Sequence, residues 1–393
     1  MLLLALLTFA LPWVVTWGTA NPYLEAKELL LLTGGWGLIL WTLLGRPSLP
    51  SMGLRNPWLK GLGLFVLLTG VAHFQWAYLW RTPTQQQVVY NFYTWLPTLH
   101  VLMALLLLRT LALHWFLSPR NVIQLTEWLC LSGVLVAAYA IGQALGLDQW
   151  YVNDAAIGNT WHGRVYAGFG NPSYLAIYLA SLCPLYLLFK LRRYLAYLLI
   201  VLIALALTQV RYAWGLAGIG LLGYGLSRSW QAWQPWKRGV ILSLTIIGLG
   251  FWLSYAWGWA KGDERWVIWQ QAWELVRVQT GSGATRVDAW TGRGLGAYEL
   301  VSTFGWAHNE WLQALVELGV IGTGLWLGAV VWTTRRAWQQ ATQSLLDAGW
   351  FGVWLSLLAA SLLHFPFHLA PLIWTGLCAW AIIERDQGAA ADG

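Results

Sequence analysis

The feature that most constrains the fold is a series of long apolar runs that follow one another along the whole chain. Runs of roughly 17 to 25 apolar residues are long enough to cross a bilayer as helices. Hydrophobic residues make up 58% of the 393 residues and charged residues 10%, whereas soluble proteins have about 25% charged residues. The sequence therefore predicts an all-α, polytopic membrane protein.

About twelve transmembrane helices are expected, in four successive parts. N-terminal helices occupy 1–146, and central helices occupy 147–258, which includes an outer loop at 147–170. A long loop at 259–306 precedes the C-terminal helices of 307–393. No basic residue precedes the first apolar run, so we interpret it as a span rather than a signal peptide. The predicted spans are 2–17, 29–45, 60–80, 93–110, 122–146, 171–189, 194–209, 212–228, 238–258, 307–333, 345–365 and 370–384.

The distribution of lysine and arginine predicts the orientation in the membrane. Basic residues concentrate in short connections such as KLRR at 190–193 and Arg335-Arg336. Short loops rich in lysine and arginine face the cytoplasm. Both termini are therefore expected inside, with both long loops on the outer face. This bias explains most of the net charge of +7, and it indicates acidic membrane lipids as partners rather than nucleic acid.

Cysteine and histidine usage predicts neither a metal site nor a cofactor. Cys130, Cys183 and Cys378 all lie inside apolar runs, where a free cysteine packs as a small hydrophobic residue. No histidine or cysteine cluster has the spacing of metal ligands. The 32 tryptophans are expected mostly at the membrane interfaces, where amphipathic rings anchor.

Two arginines are predicted at the outer ends of spans. Arg164 lies in GRVYAGFGNPSYLAIYLA (163–180), where Asn171 is a candidate N-cap and Pro172 opens the helix. Arg211 lies at a tight turn in TQVRYAWGLAG (208–218). Both arginines have an alternative interpretation, because an arginine near a membrane end commonly extends its guanidinium to the interface without binding anything.

The long loop contains a predicted amphipathic helix at 261–279. Its tryptophans at 266, 269 and 273, together with Val276, follow the spacing of one apolar stripe, and Arg265 lies elsewhere on the helical wheel. Such a helix is expected to lie in the outer interface. Arg265 would then be held at the depth of a lipid-linked phosphate.

The stretch GWAHNEWLQALVELGVIG (305–322) opens an apolar span with polar residues. Glu310, Gln313 and Glu317 are spaced to share one helix face, and His308 precedes them. A carboxylate in a span is normally paired or faces a wet cavity, so a structural hydrogen bond is the alternative for Glu317. His308 is suited to proton transfer near neutral pH. The glycines of TGRGLGAYEL before it predict a flexible turn rather than a phosphate loop.

These motifs together resemble the O-antigen ligase and polymerase superfamily. The resemblance rests on GRGLGAYEL with WAHNEWLQALVELGVIG, preceded in the same order by GFGNPSYLAIYLA and QVRYAWGL. It implies a GT-C-like glycosyltransferase in the bacterial inner membrane that needs no metal. Such an enzyme moves a glycan from undecaprenyl diphosphate to an acceptor hydroxyl on the periplasmic face. The matching positions imply His308 as the catalytic base and Arg211, Arg265 and Arg164 as ligands of the donor, with Asn309 orienting His308 or capping its helix.

Several alternatives remain open at the level of sequence. A ligase, whose acceptor is lipid A-core, is preferred to a polymerase that extends a glycan and to an oligosaccharyltransferase acting on a protein hydroxyl. An anion transporter, for example of bicarbonate, is the alternative from another class. A transporter is expected to have broken helices at the membrane midplane and repeated halves. A scaffold without activity would leave the outer arginines and His308 unexplained.

Overall fold

The structure is a computed structural model, and it describes most of the predicted spans. The described residues are 1–14, 25–45, 56–79, 85–148, 163–189, 192–230, 264–280, 286–298 and 307–385, with isolated positions at 234, 248, 250, 254, 258 and 302. This part of the chain is helical and contains no strand. The predicted span 238–258 lies outside the described residues, apart from four isolated positions.

Thirteen α-helices occur in the described part of the chain. They are α1 Leu2–Ala10, α2 Glu25–Gly45, α3 Pro57–Leu79, α4 Gln85–Thr110, α5 Pro119–Ala144, α6 Pro172–Tyr186, α7 Arg192–Leu207, α8 Arg211–Ser229, α9 Glu264–Thr280, α10 Arg286–Thr291, α11 Glu310–Ala341, α12 Leu345–Ser361 and α13 Ala370–Glu384. The described residues also form a π-helical turn at Leu111–Trp115 and two 3₁₀ turns, Ala167–Phe169 and Pro366–His368.

Four segments are long and apolar enough to cross a membrane. They are Ala26–Leu44, Leu96–Trp115, Pro119–Ala144 and Glu310–Ala341. Three further apolar helices are shorter, at Pro57–Gly70, Leu345–Ser361 and Ala370–Glu384. The protein is therefore an all-α protein with several membrane-length helices, and the number twelve stays a prediction.

The first predicted span is wrong in its extent. The predicted helix 2–17 ends at Ala10, and residues 11–13 form a turn around Pro12. Nine helical residues rise about 14 Å, which is half of the hydrocarbon core. Leu4 and Leu7 are fully buried, and Ser132 of α5 donates a hydrogen bond to the Thr8 carbonyl. The α1 helix therefore packs one face against the bundle, and its nine residues are too few to cross a membrane.

Buried tryptophans tie neighbouring helices together. Trp350, Trp354 and Trp374 have almost no exposed surface, so these three pack inside the protein instead of presenting their rings to lipid headgroups. Each indole N–H donates to a threonine hydroxyl of another helix, at Thr126, Thr334 and Thr8 respectively. A buried indole N–H needs such a partner. The cysteine prediction is confirmed, because all three cysteines are free and buried.

The predicted span 307–333 is broken at Gly319. Gly319 has φ 63° and ψ −168°, a conformation that is essentially restricted to glycine. The ring centroids of Trp311 and Trp326 lie 6.4 Å apart. Fifteen residues of continuous helix would separate those positions by about 22 Å along the axis. The α11 helix therefore consists of a short arm, 310–318, that turns sharply into a long arm, 320–341.

The glycine-rich turn at 291–296 supplies hydrogen-bond donors to the backbone of α11 at this break. The amides of Arg293 and Gly294 donate to the carbonyls of Val316 and Glu317 at 3.0 and 2.9 Å. A Cβ on Gly319 would lie 2.6 Å from the Trp290 carbonyl oxygen. The turn is thus docked on the backbone of α11 rather than flexible, which corrects the sequence-based prediction.

Contacts between helix ends divide the bundle into two opposite ends. At the end called here the site end, the turn after α7 meets the loop before α6, and the start of α11 meets the end of α12. At the opposite end Asn56 bonds to α11, and Arg385 forms an ion pair with Asp347 at 2.7 Å. Arg336 also lies at the opposite end. The grouping agrees with the predicted separation of basic residues, and the compartment that each end faces stays a prediction.

Substitution of Gly319 by alanine is expected to destabilise the fold. The variant must place a Cβ against the Trp290 backbone and hold alanine at a positive φ. The backbone conformation alone costs about 1–3 kcal/mol. Thermal unfolding in detergent should show a lower transition midpoint for Gly319→Ala than for the wild type.

The matched control for that variant is Gly324→Ala on the same helix. A Cβ at Gly324 meets no atom within 4 Å. Alanine is favoured over glycine in a helix by about 0.5–1 kcal/mol. An unchanged or raised midpoint is therefore expected for Gly324→Ala. Equal midpoints for the two variants would contradict the role of the corner at Gly319.

Candidate functional site

The loop before α6 carries Arg164 to the site end. Asn171 caps α6 as predicted, because its side chain accepts a 2.8 Å bond from the Ser173 amide. Gly163 and Gly170, on either side of the loop, both have positive φ. Half-buried Arg164 uses its Nε to bond the Thr208 carbonyl at 3.0 Å. Its guanidinium is thereby held next to the turn between α7 and α8.

Two buried side chains that the sequence-based prediction missed hold this loop in place. The Gln143 side-chain oxygen accepts from the amides of Tyr166 and Ala167. Lys27 donates to the Gly168 carbonyl at 2.7 Å and is 1% exposed. Sequence spacing gives no signal for this contact, because Lys27 precedes the apolar run of α2 and lies 141 residues from Gly168.

The turn between α7 and α8 presents Tyr212 rather than Arg211 to the other arginines. Arg211 begins α8 and is exposed, and no contact described in the structure joins it to Arg164, Arg265 or His308. Tyr212 is buried, and the guanidinium carbon of Arg265 lies 5.4 Å from the centre of its ring. The role predicted for Arg211 therefore stays a prediction, and Tyr212 is a residue that the sequence-based prediction missed.

The α9 helix faces the bundle with a different stripe from the predicted one. Trp273 is 44% exposed, whereas Ile268, Trp269 and Ala272 are buried. Arg265 lies one turn before Ile268 and Trp269, so it heads the buried face instead of the polar one. The reason is that α9 packs against protein, and its inward face is the one next to α11. The Trp269 indole N–H lies 3.4 Å from the His308 carbonyl oxygen.

His308 lies directly before α11 in an uncommon backbone conformation. Its φ is 49°, and its ring packs edge-on against His364 and Phe365, with centroids 5.1 and 4.8 Å apart. Asn309 is the N-cap of α11, since its side-chain oxygen accepts from the Trp311 and Leu312 amides. Of the two roles predicted for Asn309, the structure displays the cap.

Several of these groups lie close enough to influence one another's pKa. Burial lowers the pKa of the Arg164 guanidinium, and the positive charge of Arg265 lowers it further, while Tyr212 acts in the opposite direction. Burial keeps the pKa of His364 well below its usual range, and Arg265 and His308 add to this effect. We call Arg164, Arg265, His308 and the neutral His364 the cationic cluster, after its two arginines. Charge-assisted bonds from arginine forks suit phosphate oxygens.

A polar network lies beside the cationic cluster on the short arm of α11. Gln313 donates to Glu317 at 3.1 Å, one helical turn apart, as the predicted polar face requires. Glu310 accepts from the Phe367 amide at 2.8 Å and lies 3.2 Å from His368 Nδ1. His368 was missed by the sequence-based prediction because it is distant in the chain. The two carboxylates belong to the short arm, not to the long arm that crosses the bundle.

The described residues form no candidate metal site. Among these residues, no three histidine, cysteine, aspartate or glutamate side chains are grouped so that they could hold a metal ion. The site therefore consists of cations, aromatic rings and a hydrogen-bonded carboxylate network. Such a set of groups can bind an anion and accept a proton.

The buried His364 is expected to make the protein acid-labile. Its folded-state pKa lies below the ordinary value of about 6.5, so below that pH the unfolded state binds a proton that the folded state does not. Stability is then present above about pH 6.5 and falls as the pH decreases, by up to about 1.4 kcal/mol per pH unit. His364→Gln should reduce the drop in thermal midpoint between pH 7 and pH 5. An unchanged drop would contradict this assignment.

Comparisons with known proteins add no assignment to this site. No model of a known protein family matches the chain, and no curated protein matches it. The function must therefore be argued from the geometry of the site.

Proposed function

We propose that the protein is a membrane glycosyltransferase that moves a glycan from a polyprenyl diphosphate carrier to an acceptor hydroxyl. The proposal draws on the motifs quoted above and on the position of the cationic cluster at one end of an apolar helical bundle. Both substrates of such a reaction are amphiphiles, so their reacting groups meet at a membrane surface. The active site is proposed to face the periplasm of a bacterial inner membrane.

One observation carries the proposal. Arg164 and Arg265 come from distant parts of the chain and lie within electrostatic range of each other, while Arg265 and His308 both lie within range of the neutral His364. Like charges repel, so a fold that gathers them gains from an anionic ligand placed among them. A diphosphate has two charged phosphoryl groups and fits such a cluster. The arginines would stabilise the negative charge that develops on the leaving diphosphate.

His308 is proposed as the general base of the transfer. The acceptor oxygen forms a bond to the anomeric carbon while the bond from that carbon to the diphosphate oxygen breaks. The hydroxyl proton passes to His308, and the electron pair of the broken bond leaves with the diphosphate. A single displacement of this kind inverts the anomeric configuration. General bases contribute roughly 10²–10⁴-fold in rate.

A ligase that uses lipid A-core as acceptor is the preferred form of the proposal. A polymerase that uses a second lipid-linked glycan and an oligosaccharyltransferase that uses a protein hydroxyl share the same donor chemistry. Only the acceptor distinguishes the three, and a panel of acceptors in the assay below separates them. No metal is part of the proposed reaction.

An anion transporter is not favoured, although α11 is broken. A broken helix can expose carbonyl oxygens to an ion. At Gly319, however, the carbonyls of Val316 and Glu317 already accept bonds from the turn at 291–296. The break thus offers no open ion ligands at those two carbonyls.

Replacing His308 or Arg265 is expected to impair glycan transfer in different ways. The assay mixes liposomes containing purified protein with undecaprenyl-diphosphate-linked glycan and the acceptor panel, and it measures the product and the released lipid diphosphate. His308→Ala should lower kcat by roughly 10²–10⁴-fold. Arg265→Ala should chiefly raise KM for the lipid donor. Normal transfer by His308→Ala would exclude the base role.

Arg277→Ala is the matched control for Arg265→Ala. Both arginines lie on α9, but Arg277 is exposed and packs over the exposed Trp273, at 5.8 Å from the ring centroid. Its removal should leave both kinetic constants unchanged. If the wild type releases no lipid diphosphate with any acceptor but takes up a labelled anion, the transferase proposal fails.

The proposed orientation is testable by cysteine labelling, because all three native cysteines are buried. Gln270 on α9 and Arg120 at the start of α5 are both exposed. With both termini cytoplasmic, a membrane-impermeant maleimide added outside should label Gln270→Cys but not Arg120→Cys. The reverse pattern would invert the topology.

A further inference from the structure

We infer that Gln313 is a positioning residue that sets the orientation of His308 through the backbone of Ala307. This inference rests on the proposed function of His308. Gln313 itself is 2% exposed and lies inside the short arm of α11, so it is not placed to touch a substrate. Its side chain joins the residue before His308 to the polar network.

The two ends of the Gln313 amide have different partners. Its oxygen accepts from the Ala307 amide at 3.3 Å, and its nitrogen donates to Glu317 at 3.1 Å. The nitrogen also lies 3.4 Å from His368 Nε2. Glu317 Oε1 also accepts from the Tyr298 amide, so it is an acceptor on this side and takes the NH₂ group of Gln313. Glu317 thereby turns the Gln313 oxygen towards Ala307.

The bond to Ala307 matters because of the backbone at the next residue. His308 has φ 49°, a conformation that residues other than glycine rarely adopt and that persists only where the surroundings impose it. Gln313 holds the amide of Ala307, the residue directly before His308. On its C-terminal side the Asn309 side chain caps α11 and donates to the Leu362 carbonyl at 2.9 Å. His308 is therefore held between two side-chain anchors.

The Leu362 contact connects the same anchors to the cationic cluster. Leu362 directly follows α12 and lies two residues before His364, whose ring packs against His308. His368 links Gln313 to Glu310, and Glu310 accepts from the Phe367 amide. The chain on both sides of Phe365 is thus bonded to the short arm of α11. These hydrogen bonds hold the short arm and the residues around Phe365 together, and they thereby fix the orientation of the His308 imidazole.

The first test compares Gln313→Leu with a control of equal chemistry. Gln340 is also buried on α11, and its amide donates to the Ile383 carbonyl at the opposite end of the bundle. Gln340→Leu therefore removes a buried amide bond of the same helix without touching the site end. In the liposome assay, Gln313→Leu should lower kcat on the order of 10²-fold, because small misplacements of a reacting group cost that much. KM for the lipid donor should stay unchanged, and Gln340→Leu should change neither constant.

A double variant separates positioning from general loss of stability. Exchanging the two residues, as Gln313→Glu with Glu317→Gln, keeps an oxygen for the Ala307 amide and keeps a donor–acceptor pair between the two positions. The exchange should recover at least ten times the kcat of Gln313→Leu, on the order of a single hydrogen bond's contribution. Failure of the exchange to recover kcat, or a kcat of Gln313→Leu equal to that of Gln340→Leu, would overturn the inference.

A second readout does not depend on transfer activity. Diethyl pyrocarbonate modifies accessible imidazoles, and mass spectrometry reports the rate at His308. That rate should differ from the wild type in Gln313→Leu and match it in Gln340→Leu. Equal rates in all three proteins would overturn the inference even if transfer is observed. A changed rate at His308 without any transfer by the wild type would support the positioning role while refuting the proposed function.

Discussion

The architecture of the site depends on the hydrogen bonds that the backbone carbonyls of α11 accept where the helix turns at Gly319. A helix that stops inside an apolar bundle leaves carbonyl oxygens without partners, at a cost of several kcal/mol each. At Gly319 the amides of Arg293 and Gly294 meet this demand. Glycine is needed on both sides of the contact, because Gly292 and Gly319 touch backbone to backbone. The corner and the glycine-rich turn are therefore one structural unit.

This unit explains why carboxylates can open an otherwise apolar helix. Because α11 turns at Gly319, the long arm of 320–341 carries the apolar span, and the short arm carries Glu310, Gln313 and Glu317. Their polar atoms bond to one another and to backbone amides. The cost of a carboxylate facing lipid, roughly 2.5–3.5 kcal/mol on insertion scales, does not arise in this arrangement. The same corner brings Trp311 back towards Trp326 and so places His308 over the bundle end.

Local chemistry was predictable from the sequence, and long-range geometry was not. The cap at Asn171, the burial of the cysteines and the shared face of Gln313 and Glu317 each depend on neighbours within one or two helical turns. The only sequence signal for the helix break is Gly319 itself, a glycine after an apolar residue. Because the apolar run continues beyond it, the sequence predicted one continuous helix. Lys27, a partner of a loop 141 residues away, could not be found from sequence spacing. The inward face of α9 was misjudged because its hydrophobic stripe is wider than one contact surface.

The three histidines near α11 have different surroundings, and these divide their roles. His364 is fully buried, its Nδ1 accepts from the Phe365 amide, and its low pKa keeps it neutral. His368 directs Nδ1 to Glu310, so Nε2 is the acceptor that faces Gln313. Both rings are therefore committed to structure. His308 is half-buried, and its ring makes edge-on aromatic contacts while its backbone carries the imposed conformation. Because the other two rings have structural partners and the surroundings of His308 must impose its uncommon conformation, His308 is the histidine of the three to which we assign the proposed proton transfer.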